Sequence, residues 1–151
     1  MQDDKIKNLN SIYMHVGYAL FSAQLMEKEL AFLLLVPEIK KKKNLPSDEE
    51  IKKVTDNLDR MTFGCLTTKL RDNAKMSESS DELLKKALKE RNFLAHHFFS
   101  EYSGKLNDTE TQKIMIKRLI SMREIFTEIY DGLAVENIRI MKLFGINLKS
   151  T

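Results

Sequence analysis

The chain has 151 residues, 42% hydrophobic and 31% charged, with a formal net charge of +3. That is one domain with enough apolar material for a core and a balanced surface, which argues against a self-repelling disordered coil. Five Gly, two Pro and a single Cys argue against turn-rich sheets and exclude an intramolecular disulfide framework and a multi-Cys zinc site, while the small positive excess permits a nucleic-acid partner without requiring one.

Met1 to Asn10 contains no apolar segment of the kind found in a secretory leader. The longest apolar run, Ala31 to Pro37, is far short of the ~20 residues that cross a bilayer. A reducing, cytoplasmic setting without a membrane partner is therefore expected.

Four segments carry helical periodicity. In the first, Ile6, Leu9, Tyr13, Val16, Leu20, Ala23, Leu30 and Leu34 recur at steps of three and four, with Ile12, Ala19, Met26 and Leu33 widening the stripe. This predicts a long helix with one buried face, ended by Pro37 and the solvated Lys40–Lys43 run. Ser47-Asp48-Glu49-Glu50 fits a capping box. It opens a second helix with the stripe Ile51, Val54, Leu58, Met61, Cys65, Leu66 and Leu70. Cys65 reads there as a small buried apolar residue, and the polar patch Asn73 to Ser80 closes the segment.

The third helix is expected to start at Ser79 or Ser80, where Ser79-Ser80-Asp81-Glu82 again fits the box. It carries Leu84, Ala87, Leu88, Ala95, Phe98 and Tyr102, and Ser103-Gly104 ends it. A fourth follows Asn107-Asp108, with Met115, Leu119, Met122, Phe126, Ile129 and Leu133 in step, and is read as continuing to about Gly145 or into a short C-terminal extension. No segment alternates with period two. The expected architecture is all-α, a four-helix up-down bundle over residues 1–151, with most of the Met residues filling its core.

The stretch Glu90-Arg91-Asn92-Phe93-Leu94-Ala95-His96-His97-Phe98-Phe99 holds two of the three His residues. Arg91 lies along the apolar stripe, where a charge needs a partner or a cleft. His96 is about 140° further round the helix, with Asn92 its neighbour one turn before. These residue types suit phosphodiester cleavage. A His titrating near neutrality exchanges protons with a 2′-hydroxyl or a leaving oxygen, an Arg holds the phosphate through paired donors, and an Asn orients either group. One such His per chain is few for both acid and base, so a homodimer would supply two copies, with an interface expected at the C-terminal part of the third helix around Arg91, Ala95 and Phe99. His15 is remote in sequence and His96 and His97 diverge, so no metal site is expected, and no cofactor is implied.

Arg91-Asn92-Phe93-Leu94-Ala95-His96 resembles the signature of the HEPN superfamily, an Arg, often followed by a polar residue, and a His after four to six intervening positions. His96 satisfies that spacing with four intervening residues and His97 with five. The resemblance implies a small all-α bundle and a metal-independent endoribonuclease of toxin or phage-defence type acting on RNA. It would cleave by 2′-hydroxyl attack with His96 as general acid/base, Arg91 as phosphate ligand and Asn92 as orienting residue, His97 being auxiliary and an antitoxin or other protein a further partner. Phe98 stands where toxins paired with a nucleotidyltransferase antitoxin carry Tyr. The alternative is a catalytically silent HEPN-like adaptor or immunity module binding a protein through the same face.

Glu27 lies in the first helix's stripe, between Ala23 and Leu30. An acid there is expected to meet Arg91 and hold its guanidinium in place, an auxiliary role; the other solution is a rotation of the helix that puts Glu27 in water.

Overall fold

The computed structural model describes residues 2–73 and 78–146. These are all-helical: α1 (Gln2–Leu34), α2 (Val36–Lys42), α3 (Asp48–Asn57), a 3₁₀ turn (Leu58–Arg60), α4 (Phe63–Asn73), α5 (Glu78–His96), α6 (Phe98–Glu101) and α7 (Thr109–Leu143). Among the described residues no helix is long and apolar enough to cross a membrane.

The expected helix starts at Ser47 and Asp108 are present. Ser47 caps α3 in a reciprocal box, its Oγ accepting from the Glu50 amide at 3.2 Å while Glu50 Oε2 accepts from the Ser47 amide at 2.8 Å. Asp108 caps α7, accepting from the Thr111 amide at 2.9 Å. The third start differs. Ser79 and Ser80 already lie inside α5, and residues 74–77 of the polar patch fall outside the described residues. The C-terminus of α7 extends as the periodicity predicts, to Leu143, with Gly145 at φ +69° beyond it.

Three elements differ from the sequence reading. Pro37 does not end the helical path. It sits in the first turn of α2, where its missing N–H is no loss, and Lys40, Lys41 and Lys42 form that helix's last turn, where they complement the dipole. The second expected helix breaks at the 3₁₀ turn and restarts after Thr62, whose Oγ1 accepts from the Cys65 amide at 3.2 Å. The restart changes the helical phase, so Cys65 is exposed rather than buried. The third expected helix breaks at His97 (φ −127°) into α5 and α6.

The break after α3 also changes the topology. Leu45 and Ile51 lie beside Lys28 and Phe32 near the end of α1, whereas Leu58 lies beside Arg91. The chain then climbs again through α4, and Asn73 Nδ2 donates to Leu33 O at 3.0 Å. As a result α1 and α7 run parallel. Buried Gln112 donates to Lys5 O at 3.4 Å near one end, and buried Asn137 donates to Glu29 O at 3.1 Å near the other. A strictly alternating four-helix path would make the first and last helices antiparallel. The two buried amides fix the register of this pair, because slipping it would strand their N–H groups.

The core follows from two rotations. The fully buried side of α1 combines Ala23 and Leu30 of the expected stripe with Ile12, Ala19, Met26 and Leu33 of its flank, while Ile6 and Tyr13 of the stripe are exposed. In α5 the inward line is Leu84, Ala87, Arg91 and Leu94, continued by Phe98 of α6, and Ala95 faces out. The long α7 closes the core with Met115, Leu119, Met122, Phe126 and Leu133, and Met26, Met115, Met122 and Met141 are all buried as filler.

Candidate functional site

The rotation of α1 puts Glu27 at the edge of its buried face, on the side of Val16, Leu20 and Leu34, which are packed against the core. Arg91 projects from the inward line of α5. The two meet: Arg91 donates through Nε to Glu27 Oε1, and Nη2 approaches the same oxygen. Their side chains are only 11% and 13% exposed, so this is an interior ion pair. Burial pushes the Glu27 carboxyl above its ordinary range, and the adjacent guanidinium offsets only part of that shift. The alternative of Glu27 in water is not what the fold adopts.

Arg91 Nη1 also donates to Asn92 Oδ1 at 2.7 Å. Glu27 and Asn92 together hold the guanidinium in one orientation. Arg91 and Asn92 form part of the wall of a groove of about 310 Å³, whose other lining residues are Leu58, Met61, Leu66, Leu88, Lys85 and Lys89. The groove has an apolar floor with two lysines one helical turn apart. Sequence reasoning does not single out Lys85 and Lys89. Their four-residue spacing, continued three residues on by Asn92, places all three on one helix face and is the available signal.

His96 and His97 do not line this groove. Both are exposed, with ring centroids 6.3 Å apart and planes at 67°. His96 ends α5, one turn beyond Asn92 on the outer face, and His97 occupies the break before α6, its amide donating to Phe93 O at 2.8 Å. Of the expected site residues, the fold therefore brings Glu27, Arg91 and Asn92 together and leaves His96 and His97 on the adjoining surface. Phe98 is buried beneath them, its ring 5.3 Å from Tyr102 and 5.4 Å from Phe99. On the other flank Arg118 of α7 stacks on Phe93 with its guanidinium carbon 3.7 Å from the ring centroid, and its Nη2 lies 3.7 Å from Glu90.

His15 is half-buried on α1, its ring edge-on to Tyr18 at 6.4 Å. Among the described residues no three His, Cys, Asp or Glu side chains come together to hold a metal ion. The chain is matched by no family model, by no curated protein and by no solved structure.

Proposed function

We propose that the chain is a HEPN-like, metal-independent endoribonuclease of toxin or phage-defence type, working on RNA in the cytoplasm as a homodimer. The observation that carries this reading is the fixed placement of Arg91. Glu27 and Asn92 orient its guanidinium beside a lysine-flanked groove, and Asn92 leads one turn on to the exposed His96. A positively charged groove with an apolar floor suits a single strand, whose backbone follows the lysines while a base lies on the floor.

In this reading His96 takes the proton of a 2′-hydroxyl or returns one to the leaving 5′-oxygen, and Arg91 carries the charge that develops on the phosphate. His96 and Arg91 project about 140° apart on one helix, so a strand held in the groove beside Arg91 reaches His96 by passing over Asn92. The products are a 2′,3′-cyclic phosphate and a 5′-hydroxyl end. The test is cleavage of a mixed RNA pool with and without chelator, followed by end-group analysis. Cleavage that resists chelator, yields cyclic phosphate and is lost in His96→Ala supports the assignment. No cleavage, or cleavage that His96→Ala leaves unchanged, rejects it.

A second reading has its own observation. The Arg91 guanidinium is mostly buried and already committed to Glu27 and Asn92, as expected for a structural pair in a catalytically silent HEPN-like adaptor or immunity module that binds a protein, such as an antitoxin partner. Glu27→Leu combined with Arg91→Leu separates the two. With both charges removed a structural pair is replaced and partner binding persists, whereas a phosphate ligand is lost with the guanidinium.

A further inference from the structure

In a chain that is 31% charged, α1 carries no Asp, Glu, Lys or Arg from Asn8 to Met26. Part of that uncharged stretch faces away from the core. Tyr13, Met14, Tyr18 and Phe21 are exposed there, Tyr13 at 57% and Phe21 at 60%. Phe99 of α6 extends the patch through a ring contact with Tyr13, centroids 6.0 Å apart. Gly17 lies in the middle, and a Cβ built on it would meet nothing within 4 Å. The chain's own packing therefore makes no use of the missing side chain. A glycine weakens a helix interior relative to alanine, and its benefit is that another backbone can come close.

We propose that this face of α1 is the interface with a second copy of the chain, the two α1 helices crossing antiparallel at Gly17. The face is self-complementary. Ile6, Asn10, Tyr13, Gly17, Phe21, Gln24 and Lys28 are spaced four, three, four, four, three and four residues apart, the same in both directions. A two-fold axis through Gly17 sets Tyr13 of one copy against Phe21 of the other and Asn10 against Gln24, as an isologous contact requires. At the ends, the Lys28 stem covers Ile6 and its ammonium reaches towards exposed Asp3. No like charges are brought together along this line. Area also supports a dimer. Four exposed aromatic rings and Met14 present on the order of 500 Å², towards the upper end of the ~300–600 Å² of the largest apolar patch on a typical monomer, which is often a functional surface. Ile6, Asn10 and Gln24 bring the total towards the ~800 Å² per partner of a standard interface.

This interface does not depend on the ribonuclease reading, since a dimer that cleaves nothing leaves it intact. It also moves the expected interface from the end of α5 to α1. Of Arg91, Ala95 and Phe99, only Phe99 lies at its border.

Sedimentation equilibrium of the full chain at tens of micromolar tests it. The wild type is expected at dimer mass, and Phe21→Lys and Gly17→Leu at monomer mass with unchanged helical circular dichroism, because neither position contacts the core. Gly17→Ala gives a second, opposed readout: the monomer melts higher while the dimer dissociation constant rises by roughly tenfold or more. In a Cys65→Ser background, mixed Tyr13→Cys and Phe21→Cys chains form a disulfide-linked dimer and Lys52→Cys chains do not. A wild-type monomer, a dimer indifferent to both Phe21→Lys and Gly17→Leu, or a monomer that instead binds neutral phosphatidylcholine vesicles overturns the proposal.

Discussion

Glu27 of α1 and Arg91 of α5 are 64 positions apart in the chain and joined in its interior. Each lies on a mostly apolar side of its helix, and each would be costly to bury without the other. The pair ties the long N-terminal helix to the segment that carries Asn92, His96 and His97. Glu27→Ala leaves the guanidinium with little water and without its main counter-charge, and should cost ~3–5 kcal/mol in chemical denaturation. Glu27→Ala with Arg91→Leu should recover much of that loss, since both charges are then gone. Strict additivity of the two single changes would show that the residues do not interact.

The two histidines should separate cleanly in function and not in stability. Both are exposed, so His96→Ala and His97→Ala should each shift stability by no more than about 0.5 kcal/mol. RNA cleavage should fall ~10²–10⁴-fold in His96→Ala, as for removal of a general acid/base, and far less in His97→Ala. Equal losses in the two variants would remove the basis for assigning the role to His96.

Lys85 and Lys89 flank the groove beside Arg91. Replacing both with Glu should weaken RNA binding in filter assays while leaving the melting curve close to wild type. The salt dependence should also flatten, with the log–log slope falling by about 0.7 for each single-strand phosphate that is no longer neutralised. An unchanged slope would place the RNA elsewhere on the surface.

Two carboxylates should give opposite pH signatures. Lys42 and the Ser47 amide hold Glu50 down to about 2 from an ordinary 4.5. Its contribution is therefore present above pH 4.5 and is lost as pH falls through about 2. Amide exchange across the α2–α3 junction should accelerate over that window, and Glu50→Gln should abolish the acid dependence there. Glu27 is displaced upwards by burial from the same ordinary value of 4.5. Its contribution is fully present below 4.5 and declines as pH rises through its folded value. A carboxyl chemical-shift titration should find Glu27 above the ordinary range, and Arg91→Leu should move it higher still. A Glu27 that titrates at or below 4.5 would contradict the burial.

The helical class, the capped starts of α3 and α7, and the meeting of Glu27 with Arg91 were legible in the sequence because each rests on local rules. Three- and four-residue spacing marks a buried face, Ser and Asp with a donor amide three residues on mark an N-terminus, and a charge in an apolar stripe demands a counter-charge. What those rules do not contain is phase. A stripe as broad as that of α1 admits a rotation of tens of degrees. Only packing against α7 buried Ile12 and Ala19 and left Tyr13 and Phe21 outside. The breaks at Leu58–Arg60 and His97 carry no Pro or Gly, so local propensity had no reason to place them. The first of them reverses the chain once more, which makes α1 and α7 parallel. Together the rotation and the first break left Tyr13 at the surface and Cys65 in solvent. Those placements depend on contacts between residues far apart in the chain, and tertiary packing alone decided them.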